Sequence, residues 1–143
     1  MAIHFEVEDV KFPPIKKRIS SSWIKTVIDS YGFIAGDIAY IFCGDEKILE
    51  VNKEYLQHDY YTDIITFDYT EDLKVSGDLF ISLDTVKTNA EKFGTIYEEE
   101  LRRVMIHGIL HLCGFGDRGD EEQKTMREKE DQALNIFQEL LLK

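Results

Sequence analysis

Cysteine is nearly absent from this chain: Cys43 and Cys113 are the only two in 143 residues, which excludes a disulfide-stapled scaffold. Only two prolines occur, and no repeat, low-complexity tract or Pro/Gly/Ser-rich linker interrupts the sequence. No apolar run approaches the roughly 20 residues that a membrane-spanning helix needs. The N-terminal Met1–Glu6 lacks the basic region and apolar core of a secretory signal, so the expectation is a cytoplasmic protein with no membrane partner. Basic residues are also in deficit. Lys and Arg number 17 against 28 Asp and Glu, a net charge of −11, which argues against a sequence-independent grip on a polyanion such as DNA. The exception is local, because Lys11 to Ile28 carries five basic residues and no carboxylate. Such a segment either lies against phosphates or forms a solvated helix face. What remains is 43% hydrophobic, enough for a folded core, and the length suits one domain over residues 1–143.

Periodicity predicts the elements. Ile3–Val7 alternates as a half-buried strand does, and Ile15, Ile19, Trp23, Val27 and Tyr31 fall near one face of a helix that ends about Gly32. Ile38–Cys43 reads as a buried strand, and Asp45 opens a helix to about His58. Ile64–Phe67 and Leu79–Ile81 are short β-like runs, and Leu83–Phe93 is a helix stopped by Gly94. Thr95 with Glu98 predicts a capping box for the next helix, and Asp120 a cap for the last. The order indicates an α+β fold, one mixed sheet of about four strands packed with helices.

The chemistry concentrates at His107, His111 and Asp117. The two histidines stand four apart in an otherwise apolar helix, so their rings converge on one point. Gly114 then permits a sharp exit, and Asp117 follows as an available carboxylate. Three such ligands with an open fourth position make a catalytic zinc site. The competing reading keeps both histidines as hydrogen-bonded core residues and Asp117 as a helix cap. The spacing is zincin-like, yet Gly108 occupies the place of the glutamate that activates water in His-Glu-x-x-His peptidases. Peptide hydrolysis is therefore disfavoured.

Three blocks together resemble the YbeY endoribonuclease family. His107–Gly108–Ile109–Leu110–His111–Leu112–Cys113–Gly114–Phe115–Gly116–Asp117 follows the signature His-Gly-x-Leu-His-Leu-x-Gly-Tyr-Asp-His. Thr62–Phe67 is similar to Thr-Asp-Val-Leu-Ser-Phe, and Gly77–Ser82 to Gly-Asp-Ile-x-Ile-Ser, with Asn52 and Tyr55 at the upstream Asn-x-x-Tyr. The chain departs from the pattern twice: Asp117 stands where the family has its third histidine, and Leu56 where it has an arginine. The resemblance implies one Zn²⁺ held by His107, His111 and Asp117, with His107 and Asp63 at the chemistry. Asp63 either orients a histidine or accepts a proton, against the alternative of a plain strand-start carboxylate. Asn52 and Tyr55 are implied to shape the substrate site, and His58 and Arg102, with Lys53 and Arg103, are the candidates to replace the lost arginine as substrate contacts, against the alternative of plain surface charges. The implied activity is zinc-dependent cleavage of single-stranded RNA in 16S rRNA 3′-end maturation and ribosome quality control. The implied partners are the 16S precursor and the small ribosomal subunit with its proteins. Two rivals remain, a metalloprotease-like hydrolase and a non-catalytic ribosome-assembly factor.

Overall fold

A computed structural model describes residues 2–56 and 62–143. Among these, the elements run β1 (Ile3–Val7), α1 (Lys17–Ser30), β2 (Ile34–Cys43), α2 (Asp45–Leu56), β3 (Ile64–Asp68), β4 (Lys74–Ser82), α3 (Leu83–Phe93), α4 (Tyr97–Leu112) and α5 (Gly119–Leu141). The strands form one sheet in the order β1-β2-β4-β3. β1 and β4 both run parallel to β2, whereas β3 lies antiparallel on the outside of β4. The fold is α+β with a mixed four-stranded sheet, as the element order predicts.

Period-two alternation decides which helix meets which face. Ile38, Tyr40 and Phe42 of β2 and Leu79 and Ile81 of β4 are buried in the main core with Trp23, Ile24, Met105, Ile109 and Phe137 from α1, α4 and α5. Cys43 of β2 and Ile65 of β3 point the other way, into a smaller cluster with Ile48 and Val51 of α2. Two buried polar groups tie the layers together. The Tyr40 hydroxyl donates to the Met105 carbonyl at 2.9 Å, and the Trp23 indole N–H donates to the Ala133 carbonyl at 2.7 Å. Each satisfies a group that would be costly to bury alone.

Both strands β2 and β4 begin earlier than their apolar runs predict, because Ile34–Lys74 and Ala35–Val75 pair ahead of a register shift. Two caps also differ from expectation. Thr95 does not cap α4; its N–H goes to the Ala90 carbonyl at 2.9 Å and closes the end of α3, so α4 starts from Ile96. Asp120 lies inside the first turn of α5, which starts from Arg118, and the Glu122 carboxylate reaches back to accept the Arg118 N–H at 2.9 Å.

Candidate metal centre

The polar positions of α4 make a stripe. Glu100, Arg103, His107 and His111 recur at intervals of three, four and four along a helix whose other inward positions are Leu, Val, Met and Ile. At 3.6 residues per turn these four share one face. Met126, Glu130, Ala133 and Phe137 form the buried stripe of α5. The two helices run antiparallel, because His107 meets Glu130 while Arg102 meets Phe137.

The end of α4 brings the third group in. Gly114 adopts a positive φ of 99°, its N–H reaches the His111 carbonyl at 2.9 Å, and the Phe115 N–H reaches the Leu110 carbonyl at 3.0 Å. This is the Schellman ending, in which glycine takes the left-handed position at no steric cost. Phe115 then packs edge-on against Tyr31 at 5.0 Å, which anchors the turn. Asp117 consequently sits over the histidines.

The spacing among the three groups fits a metal. Nε2 of His107 and Nε2 of His111 lie 3.1 Å apart, and Oδ2 of Asp117 is 3.3 Å from His111 and 3.5 Å from His107. Tetrahedral zinc with ligand bonds of about 2.0–2.1 Å requires ligand–ligand edges of about 3.3–3.4 Å. The three edges bracket that value. His107 Nδ1 lies 2.7 Å from Oε2 of Glu130 and donates to it, which leaves Nε2 as the lone-pair nitrogen facing His111 and Asp117. Glu130 is itself buried and held by Arg103, whose Nη1 donates to Oε1 at 2.9 Å while Nη2 donates to Asp131 at 2.8 Å. These residues can hold a metal ion.

Electrostatics agree with the geometry. Burial alone would push His107 down, but the hydrogen bond and charge of Glu130, with the charges of Asp63 and Asp117, leave its pKa raised. A site that favours a proton on imidazole is one of negative potential, which also favours a metal cation. Asp63 lies near enough for its charge and that of His107 to act on each other, and burial raises its carboxyl pKa. Glu100 is raised too, by burial first, against the opposing effect of Arg103.

Gly108 lies about 100° of helical rotation from His107, on the face of α4 that meets the sheet. A Cβ there would collide with Cδ2 of Leu79 and approach Cδ1 of Ile64 to 2.8 Å, so the position is filled by the sheet. The glutamate of the peptidase motif has no space at this point.

The remaining sequence-derived candidates separate. Asn52 is buried on α2, and Tyr55 is exposed with its ring edge-on to Phe67 at 5.8 Å. His58 lies outside the described residues. Arg102 does not join the histidines; its guanidinium lies over the Phe137 ring at 4.4 Å, beside a different cavity. Sequence reading missed Glu130, although a carboxylate within the apolar stripe of an amphipathic helix was a usable signal. It also missed Lys124 and Arg127, which line a cleft of about 550 Å³ with His107, Asp117 and Glu130.

Comparisons with known proteins point the same way. A family model described as endoribonuclease YbeY matches residues 3–138. A Parabacteroides distasonis protein named endoribonuclease YbeY is 65% identical over 139 residues, covering 97% of this chain and 98% of the relative. One of the same name from Bacteroides thetaiotaomicron is 63% identical over 134 residues, covering 94% and 98%. A solution structure of a Thermotoga maritima protein superposes with a TM-score of 0.66 at 24% identity, over 95% of this chain and 89% of that one, which shows a shared fold.

Proposed function

The chain belongs to the endoribonuclease YbeY family, and from that premise we propose a zinc-dependent enzyme, one hydrolase domain over residues 1–143, that cuts single-stranded RNA in 16S rRNA 3′-end maturation and ribosome quality control. Membership makes it a hydrolase that cleaves RNA. The observation that carries the metal assignment is the set of edges of 3.1, 3.3 and 3.5 Å among His107, His111 and Asp117. When bound, zinc supplies a Lewis acid for a phosphoryl oxygen and brings the pKa of water down to about 7.

The chain's own residues divide the remaining work. Glu130 holds His107 in the tautomer that leaves Nε2 free, and Arg103 holds Glu130. Asp63 takes and returns a proton at its carboxylate, a role that its raised pKa suits. Lys124 and Arg127 steady the phosphate from the α5 wall of the cleft. Asn52 and Tyr55 shape the substrate wall. The RNA partner is the 16S precursor on the small ribosomal subunit in the cytoplasm. Ribosomal proteins supply docking that a chain of charge −11 cannot provide through phosphate contacts alone.

The peptidase reading is disfavoured because the position of its water-activating glutamate faces the sheet. The assembly-factor reading is separated by cleavage itself. Purified protein is expected to hold one zinc per chain, to cut single-stranded RNA, to lose that activity in chelator and to regain it with zinc. Asp117→Ala is expected to lower zinc content. Cleavage that survives complete metal removal refutes the mechanism, and full zinc in Asp117→Ala removes that residue from the ligand set.

A further inference from the structure

Arg102 and the basic segment from Lys11 to Ile28 are left unused by the metal cleft, and the fold brings them together. A cavity of about 220 Å³ lies where the start of α1 meets the first half of α4 and the end of α5, with Lys16, Ser20, Glu98, Arg102 and Phe137 among its walls. Arg102 Nε is fully buried and, among the described residues, is the buried side-chain nitrogen or oxygen that lacks a hydrogen-bond partner. An unmet donor on a guanidinium is costly to bury, and the same side chain lines the cavity, where an anion is the natural partner of a guanidinium. No side chain caps the start of α1, and no acidic residue occupies its first turn, so its free N–H groups add positive potential beside Lys16 and Ser20. Glu99 and Glu98 are the opposing charges: both lie about one turn before Arg102 on the same helix and act on it, and Glu98 also lines the cavity without making an ion pair with Arg102 among the described residues. The cavity is smaller than the roughly 300–1,000 Å³ typical of small-molecule pockets. It suits a group the size of one phosphate.

We propose that this cavity docks a backbone phosphate of the RNA substrate between Arg102 and Lys16, apart from the metal cleft. The assignment rests on the RNA-cleavage reading above. Arg102 is five residues from His107 along α4, and Phe137 is seven from Glu130 along α5. At 1.5 Å per residue these separations are about 7.5 and 10.5 Å. The docked phosphate therefore belongs to a nucleotide near the scissile bond but outside the cleft, on another face of α4.

The test is binding of a labelled single-stranded oligoribonucleotide across a salt series, in chelator to prevent turnover, for wild type, Arg102→Gln, Lys16→Gln and the charge control Lys92→Gln. Arg102→Gln is expected to weaken binding about tenfold, the worth of one charge-assisted hydrogen bond. Arg102→Gln and Lys16→Gln are each expected to flatten the slope of log affinity against log salt by about 0.7, the value for one phosphate contact on a single strand. Lys92→Gln is expected to leave the slope unchanged. In the metal-loaded enzyme the first two variants raise KM for a long RNA and leave kcat unaltered. Because Arg102 also covers Phe137, Lys16→Gln keeps the test decisive if Arg102→Gln loses stability. Wild-type affinity and slope in Lys16→Gln and in folded Arg102→Gln overturn the proposal, as does retention of inorganic phosphate with no change in RNA binding. A protein that binds RNA through these residues but never cleaves it refutes the nuclease reading instead and leaves the docking site standing.

Discussion

Replacing Glu130 with glutamine preserves size and shape but gives the side chain one oxygen and one NH₂ where two neighbours both donate. In the wild type, Oε2 receives His107 Nδ1–H at 2.7 Å and Oε1 receives Arg103 Nη1–H at 2.9 Å. If the glutamine oxygen turns to His107, its NH₂ meets the Arg103 donor. If the oxygen turns to Arg103, the NH₂ faces Nδ1 and demands the other tautomer, which places a proton on Nε2 where the metal must bind. Neither orientation is satisfied. Loss of a carboxylate behind a metal-bound histidine costs roughly 10–100-fold in metal affinity. The unmet donor, buried beside Arg103, costs a further 1–3 kcal/mol or so of stability. Zinc affinity is measured by competition with a chromophoric chelator and stability by urea unfolding of the metal-free protein, so that the two effects are read apart. Arg103→Met in the same background removes the conflicting donor and is expected to restore part of both losses, a coupling visible in a double-mutant cycle. Wild-type zinc affinity in Glu130→Gln would refute the role assigned to Glu130.

Gly108→Ala is expected to lose about 1–3 kcal/mol by forcing Leu79 and Ile64 apart, partly offset by about 0.8–1 kcal/mol of helix propensity, and a melting temperature at or above wild type would contradict this close approach. Glu100→Gln is expected to stabilise the protein at pH 7. The folded-state pKa of Glu100 is raised, so the folded state binds its proton more tightly and wild-type stability falls as pH rises from the ordinary 4.5 through that raised value. The gain from glutamine should therefore vanish at about pH 3, where the group is protonated in both states, and a gain that persists there would contradict the burial effect. Cys43 and Cys113, with thiols pushed up to about 12 and about 11 by burial, should resist iodoacetamide at pH 8 until denaturant is added; mass spectrometry of the native protein counts the adducts, and rapid native labelling would show that these sites open.

The elements that sequence made legible are those with strong local signals. Leu83–Phe93 was readable to the residue because Gly94 ends it with a positive φ of 69°. The i, i+4 histidines and Gly114 were readable because helix geometry alone brings the rings together and releases the chain. Caps were less legible, since Thr95 had two helices to serve and its amide went to the earlier one. Strand starts were obscured because Ile34, Ala35 and Lys74 pair through backbone groups that carry no side-chain pattern. The least legible part of the centre was Glu130, a residue 23 positions from His107 that reaches it only once α5 packs antiparallel on α4. Arg102 and Arg103 show the same limit. They are neighbours in sequence, but about 100° of helical rotation sends one to Phe137 and the other to Glu130.

The exchange of an imidazole for Asp117 has an electrostatic consequence that the α5 wall offsets. A carboxylate ligand lowers the charge of a loaded zinc site by one, while Arg103 neutralises only one of Glu130 and Asp131. Asp120 adds another negative group to the cleft, and Lys124 and Arg127 are the cations that face it. Without metal the acidic groups outnumber the cations, which disfavours a phosphodiester, and a divalent ion offsets two of those charges. RNA binding in the cleft is then expected to strengthen with metal loading, whereas binding at the proposed Arg102 site is expected not to change. Oligoribonucleotide binding to wild type and Arg102→Gln, each with and without zinc, reads the two contributions apart, and an affinity that zinc leaves unchanged in both refutes this charge argument.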